Sequence, residues 1–308
     1  MTGKKIIQQF GFEEEDEPKS IYPFSPVYKV KAGDQDYIIK RTQTNYKGLI
    51  NYTRMLSSEG IPVVTPVSLT EDNPQLIEDD AYVVYPFIHG SSYGAKKDKI
   101  YEAGKLLGKI HALSPAENQY GLGEYDVYDF NEEEVTESVE AIAKHATKFQ
   151  ADIDANKLQK KFIRIMENQN ALKNAELPHV ATPHDYKANN LIYTPSPYLI
   201  DPDNATWIPR IFDLALALLL FHNELESAPD RLFTPSEWRT FLSGYQSHIQ
   251  LTEPEILAWK QAVEHVFLDE VMWLMAEFEE DWEQESQHGL FKQLIDVLYD
   301  NSSYTLSE

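Results

Sequence analysis

The chain has 308 residues, 42% of them hydrophobic and 12% aromatic, with a formal net charge of −23 and no cysteine. That length and apolar content give ample core for one large domain or two lobes and exclude a disordered chain. The missing cysteines exclude disulfides, thiolate metal sites and cysteine nucleophiles. The acidity disfavours nucleic acid and anionic membranes as partners, and no long uncharged apolar run predicts a transmembrane helix. The opening MTGKKIIQQFGFEEEDEPKS has no sustained apolar core, so a soluble, cytoplasmic protein without a signal peptide is expected.

The first third reads as strands. Val27–Lys31, the turn Ala32–Gln35 and Tyr37–Lys40 form a hairpin pattern. Residues 44–58 read as a helix that stops at Gly60 before Pro62. Residues 63–68 and 81–85 read as further strands, and Pro86–Gly90 reads as a hinge. Beyond it the pattern turns helical. Ala103, Leu106, Leu107, Ile110 and Leu113 share one helical face, and helices are expected near 132–150, 155–174, 211–225, 235–247 and 253–284. The strand signals in this half are Leu191–Tyr193 and Tyr198–Ile200. The expectation is an α+β chain with a small β-rich lobe at 1–88 and a larger helical lobe at 89–308, with ligands favouring such an interlobe position.

The stretch HDYKANNLIY, residues 184–193, packs polar groups directly before an apolar strand. Asp185 precedes Asn190 by five residues, and the return strand of the following hairpin ends at Asp201. Hairpin geometry brings Asn190 and Asp201 toward one end. An amide and a carboxylate there suit Mg²⁺, which tolerates few protein ligands when phosphates supply the rest. Asp185 is then the candidate base for a hydroxyl nucleophile.

HDYKANNLIY, then Ile200-Asp201-Pro202-Asp203, then Asp213-Leu214-Ala215 resemble the aminoglycoside phosphotransferase and choline kinase superfamily, small-molecule kinases of protein-kinase-like fold. The resemblance implies that Asp185 is catalytic, that Asn190 and Asp201 hold Mg²⁺, and that ATP or GTP is the donor. It implies Lys40 on the α and β phosphates and a phosphate-covering loop within Ser20–Pro26, where Ser20 and Ser25 stand in for the usual glycines. The Pro86 carbonyl and the Ile88 N–H would read the base. Two departures stand out: Pro183 occupies the usual histidine position, with His184 one residue later, and Asn51 lies where the helix acid that holds the lysine is expected. Asp213 opens an apolar helix and is expected to cap backbone amides and brace the catalytic loop. Asp203 is expected either at a second metal or fixing a turn with Asn204.

Residues 251–285 hold eleven acids and a single lysine, Lys260. On a continuous helix, Phe267, Val271, Trp273, Leu274 and Phe278 form an apolar side, while Glu270, Glu277 and Asp281 lie near one another as candidate substrate ligands. The function expected is phosphorylation of a hydroxyl on a small, cationic, aminoglycoside-like molecule. The alternatives are a choline, ethanolamine or other metabolite kinase, or a non-catalytic nucleotide-binding protein.

Overall fold

The computed structural model describes residues 2–22 and 25–307. Its elements begin with α1 (Gly3–Gln9), β1 (Val27–Ala32), β2 (Gln35–Thr42), α2 (Tyr46–Ser58), β3 (Gln75–Ile77) and β4 (Asp80–Pro86). There follow α3 (Lys97–Ala112), β5 (Gly123–Glu124), α4 (Glu132–Lys148), α5 (Ala155–Lys173), β6 (His179–Thr182), β7 (Leu191–Tyr193), β8 (Pro197–Leu199) and β9 (Thr206–Pro209). The chain then runs through α6 (Arg210–Leu220), α7 (Pro235–Gln246), α8 (Glu253–Val266), α9 (Met272–Glu277) and α10 (Glu285–Tyr299). It divides into two compact units. The first gathers Met1–Ser91, Asn118–Leu122 and Asn190–Ala205; the second holds Ser92–Glu117, Gly123–Asn189 and Thr206–Glu308.

In the first unit the strands form an antiparallel sheet in the order β1-β2-β4-β3. One face is closed by Ile6, Ile7 and Phe10 of the N-terminal helical turn, packed with Tyr28, Val30, Ile39, Tyr82 and Val84. The opposite face carries a smaller cluster, Val64, Val83 and Tyr85, with Ile88, Tyr198 and Ile200 against it. Strand alternation explains the split, because neighbours along β4 point to opposite faces.

The expected strand at 63–68 does not form. Only Val63 makes a bridge, to Leu199. Pro62 and Pro66 lack donors for a ladder. The segment is instead tied by Val67 N–H to Val84 O (3.0 Å) and by the Asn73 amide, which donates to the carbonyls of Val67 and Val84. The β7–β8 hairpin belongs with this unit: Val64 N–H donates to Leu199 O, Leu199 N–H to Pro62 O, and Ser91 exchanges bonds with Tyr193.

The second unit is helical, with a small sheet in the order β5-β9-β6. Strands β6 and β9 were not expected from the sequence; they are short and flank the motif region. A Cβ on Gly104 or Gly244 would sit 2.0 Å from the Phe241 carbonyl or 2.1 Å from the Tyr101 carbonyl. Only glycine lets α3 and α7 approach that closely. The helix expected at 211–225 ends at Leu220, where the chain turns and Glu224 adopts φ 63°. The continuous helix expected at 253–284 is interrupted twice: a π-turn at Phe267–Val271 separates α8 from α9, and at Phe278 (ψ 82°) the chain passes into a 3₁₀ turn, Glu279–Glu283. Trp273, placed on the apolar side by periodicity, is exposed at 53%. Among the described residues no helix is long and apolar enough to cross a membrane.

Candidate active site

In the first unit, register sets the site. Lys40 on β2 lies opposite Val27 and Val83, and Tyr85 lies opposite Ile38, so Lys40, Val83 and Tyr85 share one face. Lys40 Nζ meets Asp201 Oδ2 at 2.6 Å and Asp203 Oδ2 at 3.3 Å. Tyr85 O–H donates to Asp203 Oδ1 at 2.8 Å, and Asp203 N–H reaches Asp201 Oδ1 at 3.3 Å. Burial works against the Lys40 charge, but the carboxylates of Asp203 and Asp201 outweigh it and hold the ammonium above its ordinary value. Burial pushes the Asp203 carboxyl up to about 6, with Lys40 pulling the other way. Thus the acids facing Lys40 come from the segment after β8. Helix α2 offers none, and Asn51 on it is exposed.

The β7–β8 register pairs Leu191 with Leu199, and Ile200 N–H donates to Asn190 O at 2.9 Å. Asn190 and Asp201 therefore flank the open end of the hairpin, as expected. Asp203 and Asn204 are the central residues of a turn closed by Ala205 N–H to Pro202 O at 3.1 Å, and the Asp203 side chain is drawn inward to Tyr85 and Lys40. Pro86 closes β4 opposite Tyr37, and Phe87 N–H donates to Asp36 O. Ile88 lies against the Val64–Val83–Tyr85 cluster, an apolar strip beside the Lys40 network. The Ser20 hydroxyl is committed inside its own loop: its one O–H lies within reach of the carbonyls of Tyr22 and Ser25, and its oxygen accepts from Val27 N–H. It is therefore already engaged rather than offered to a phosphate. Ser25 is half-buried, and Pro23 and Phe24 of the expected covering loop lie outside the described residues.

In the second unit, His184 (φ 52°) and Asp185 (φ 48°) are consecutive left-handed residues. Such backbone is costly for residues with a Cβ and persists only where surroundings impose it. The imposing contacts are visible. The buried Tyr186 donates its O–H to Ala103 O at 2.8 Å, and Ala188 N–H donates to Phe221 O. Lys187 Nζ pairs with Asp185 Oδ1 at 3.0 Å and Glu224 Oε2 at 3.5 Å. Glu270, in the π-turn, is half-buried. Burial raises its pKa, His184 opposes that, and Asp269 and Asp185 add to it. Asp281 is raised by burial and then by Glu224 and Glu280. Glu277 is exposed on α9, a separate element from Glu270. The three candidate substrate acids therefore do not share one helix: the breaks at 267–271 and 278 undo the seven-and-four spacing.

Asp213 does not cap backbone amides. It sits one turn inside α6, fully buried, and Nε2 of His111 reaches its Oδ2 at 2.9 Å. Thr182 O–H donates to the same oxygen at 3.0 Å, and His111 Nδ1 lies 2.9 Å from Tyr245 O–H. Thr182 ends the strand leading into His184–Asp185, so Asp213 braces the loop through that strand.

Residues 24–248 match the model of the phosphotransferase enzyme family, APH. The chain belongs to this family. No protein of curated function matches it in sequence. Among solved structures, it is similar to spectinomycin phosphotransferase APH(9)-Ia in complex with ADP and spectinomycin, with TM-score 0.64, 18% identity, and 92% of each chain covered. It is similar to amicoumacin kinase hAmiN in complex with AMP-PNP and Ca²⁺ (TM-score 0.66, 16% identity, 93% of this chain and 89% of that one). It is also similar to choline kinase LicA from Streptococcus pneumoniae (TM-score 0.54, 18% identity, 91% and 92%). At these identities the likeness is one of fold, and it matches the protein-kinase-like α+β architecture expected from the sequence. As a member of the family, the protein is a small-molecule phosphotransferase with an alcohol group as acceptor.

Within this phosphotransferase, sequence reasoning missed Tyr85, Lys187, Glu224, His111 and Thr182, and left Asp203 undecided. Lys187 alone had a local signal: a cation two residues after a candidate base, inside a loop otherwise rich in amides.

Proposed function

We propose that this phosphotransferase moves the γ-phosphoryl group of ATP or GTP to a hydroxyl of a small, cationic acceptor, an aminoglycoside-like amino sugar before choline, ethanolamine or another metabolite. The observation that carries the nucleotide half is the Lys40–Asp201 pair at the open end of the hairpin that begins at Asn190. The donor set fits Mg²⁺: one amide and one half-exposed carboxylate are hard oxygen ligands, and Mg²⁺ keeps waters and phosphate oxygens for its other positions. Bound there with nucleotide, Mg²⁺ neutralises phosphate charge. Lys40 steadies the α and β phosphates, Pro86 and Ile88 supply the backbone groups that meet the base, and Ser25 borders the phosphate loop. Asp185, braced by Lys187 and by the anchored Tyr186, accepts the acceptor's hydroxyl proton through its carboxylate. Positioning and charge compensation do most of the work, because the transition state is loose.

Asp201→Ala tests the metal assignment. Wild-type protein gains thermal stability from ATP with Mg²⁺ by mass action, and the variant loses the Mg²⁺-dependent part of that gain. An undiminished Mg²⁺-dependent shift in the variant removes Asp201 as ligand.

The cationic acceptor is supported by the acids around the loop: Glu270 and Asp269 on the π-turn, with Glu224 and Asp281 beyond Lys187. A screen of candidate alcohols for ADP release, with mass spectrometry of the product, identifies it. Acceptors with two or more amines outperform neutral sugars. Their kcat/KM falls as salt rises from about 0.01 M to about 0.1 M, since the Debye length shrinks from about 30 Å to about 10 Å. A neutral acceptor that wins, at a rate indifferent to salt, makes these acids a solvated surface and removes the amino-sugar assignment.

A further inference from the structure

Lys40 has two carboxylate partners of different character. Asp201 is nearer, at 2.6 Å, but its side chain is 37% exposed; Asp203 is at 3.3 Å and only 9% exposed. Asp203 is also fixed from behind, its Oδ1 taken by the O–H of Tyr85, itself 2% exposed on β4. Helix α2 contains no acid in its whole length. Asp201 would have to share its one negative charge between the Lys40 ammonium at 2.6 Å and the metal that the nucleotide-site reading assigns to it.

We propose that Asp203, oriented by Tyr85, is the positioning residue that keeps Lys40 in place and so leaves Asp201 available to the metal. The inference rests on the nucleotide-site reading above. It divides the labour between the two acids by burial. The accessible carboxylate exchanges partners when nucleotide and metal arrive. The buried one does not, since its remaining oxygen faces Lys40 and water does not reach it to compete. An ion pair with a buried, hydrogen-bonded carboxylate also limits the rotamers of a long, flexible lysine side chain.

The Asp203→Asn variant keeps shape but removes the charge that leashes Lys40. Lys40 then relies on Asp201 alone, and the metal would have to share that carboxylate with the ammonium. Calorimetric titration of the full chain with AMP-PNP, repeated over a range of free Mg²⁺, reads this directly. Affinity falls by on the order of tenfold, and the Mg²⁺ needed for half-maximal binding rises by a similar factor. Tyr85→Phe keeps the ring in its apolar cluster, loses only the O–H, and shifts both quantities the same way by roughly threefold. If Asp203→Asn does not fold, Tyr85→Phe decides. A variant that melts earlier but binds AMP-PNP with unchanged affinity and unchanged Mg²⁺ requirement shows a purely structural contact and overturns the proposal. Lys40→Ala and Asp201→Ala separate the two levels. If they too leave AMP-PNP binding unchanged, the nucleotide-site reading fails with it. If they weaken binding and Asp203→Asn does not, only the positioning role fails.

Discussion

Asp185→Asn lowers turnover by about 10²–10⁴-fold, the usual contribution of a positioned general base, and leaves nucleotide affinity within about threefold. The substitution is nearly isosteric, so the anchors of the loop persist: Tyr186 still reaches Ala103 O, and Ala188 N–H still reaches Phe221 O. What changes is chemical. An amide does not accept the acceptor's proton, and it no longer compensates Lys187, which lies 3.0 Å from Asp185 Oδ1 and retains Glu224 as its other acid. The two left-handed residues, His184 and Asp185, indicate that the surroundings impose this backbone. Because the loss concerns proton transfer, it appears in kcat, while KM for the acceptor found by the ADP-release screen changes little. Single-turnover kinetics with that acceptor, beside AMP-PNP binding, distinguishes the two. A variant turning over at a third of the wild-type rate or faster takes Asp185 out of the base role.

Why this loop was legible in sequence, and much of its support was not, follows from sequence separation. Asp185, Asn190 and Asp201 lie within one short span whose strand–turn–strand pattern fixes their order along the hairpin. Lys40 was legible because the hairpin pattern of β1 and β2 puts it on a strand, two residues before β2 closes at Thr42. The partners that give these residues their environment are remote: Tyr85 is 118 positions from Asp203, and His111 is 102 from Asp213. No local periodicity encodes such a pairing. The acids expected to line a single helix failed for another reason. Apolar spacing through 264–278 tolerates a π-turn, because one extra residue shifts the register without removing the apolar run. Asp213 was misjudged because a carboxylate near a helix start reads as a cap. Its burial depends on His111, Thr182 and Tyr245, which come from three other elements.

That burial gives the second large effect. Asp213→Ala destabilises the fold by about 3–5 kcal/mol, the range seen when one partner of a buried charged contact is removed. The Asp213 carboxylate accepts from two directions, and it is acceptor-only when ionised, which assigns the His111 Nε2 proton to it and leaves Nδ1 to accept from Tyr245 O–H. Truncation strands the Thr182 hydroxyl proton and leaves the Nε2–H only the Thr182 Oγ1 at 3.2 Å, in a site where both residues are buried. Each unmet donor costs about 1–3 kcal/mol. The midpoint of thermal unfolding drops by on the order of 10 °C. Replacing both ends of the contact should cost less than the sum of the single changes, because the orphaned donor is removed with its acceptor. The combination Asp213→Leu with His111→Phe, compared with each single variant in urea unfolding, measures that coupling. Strict additivity of the two single effects would mean the pair contributes no shared energy, and that Asp213 is held by packing alone.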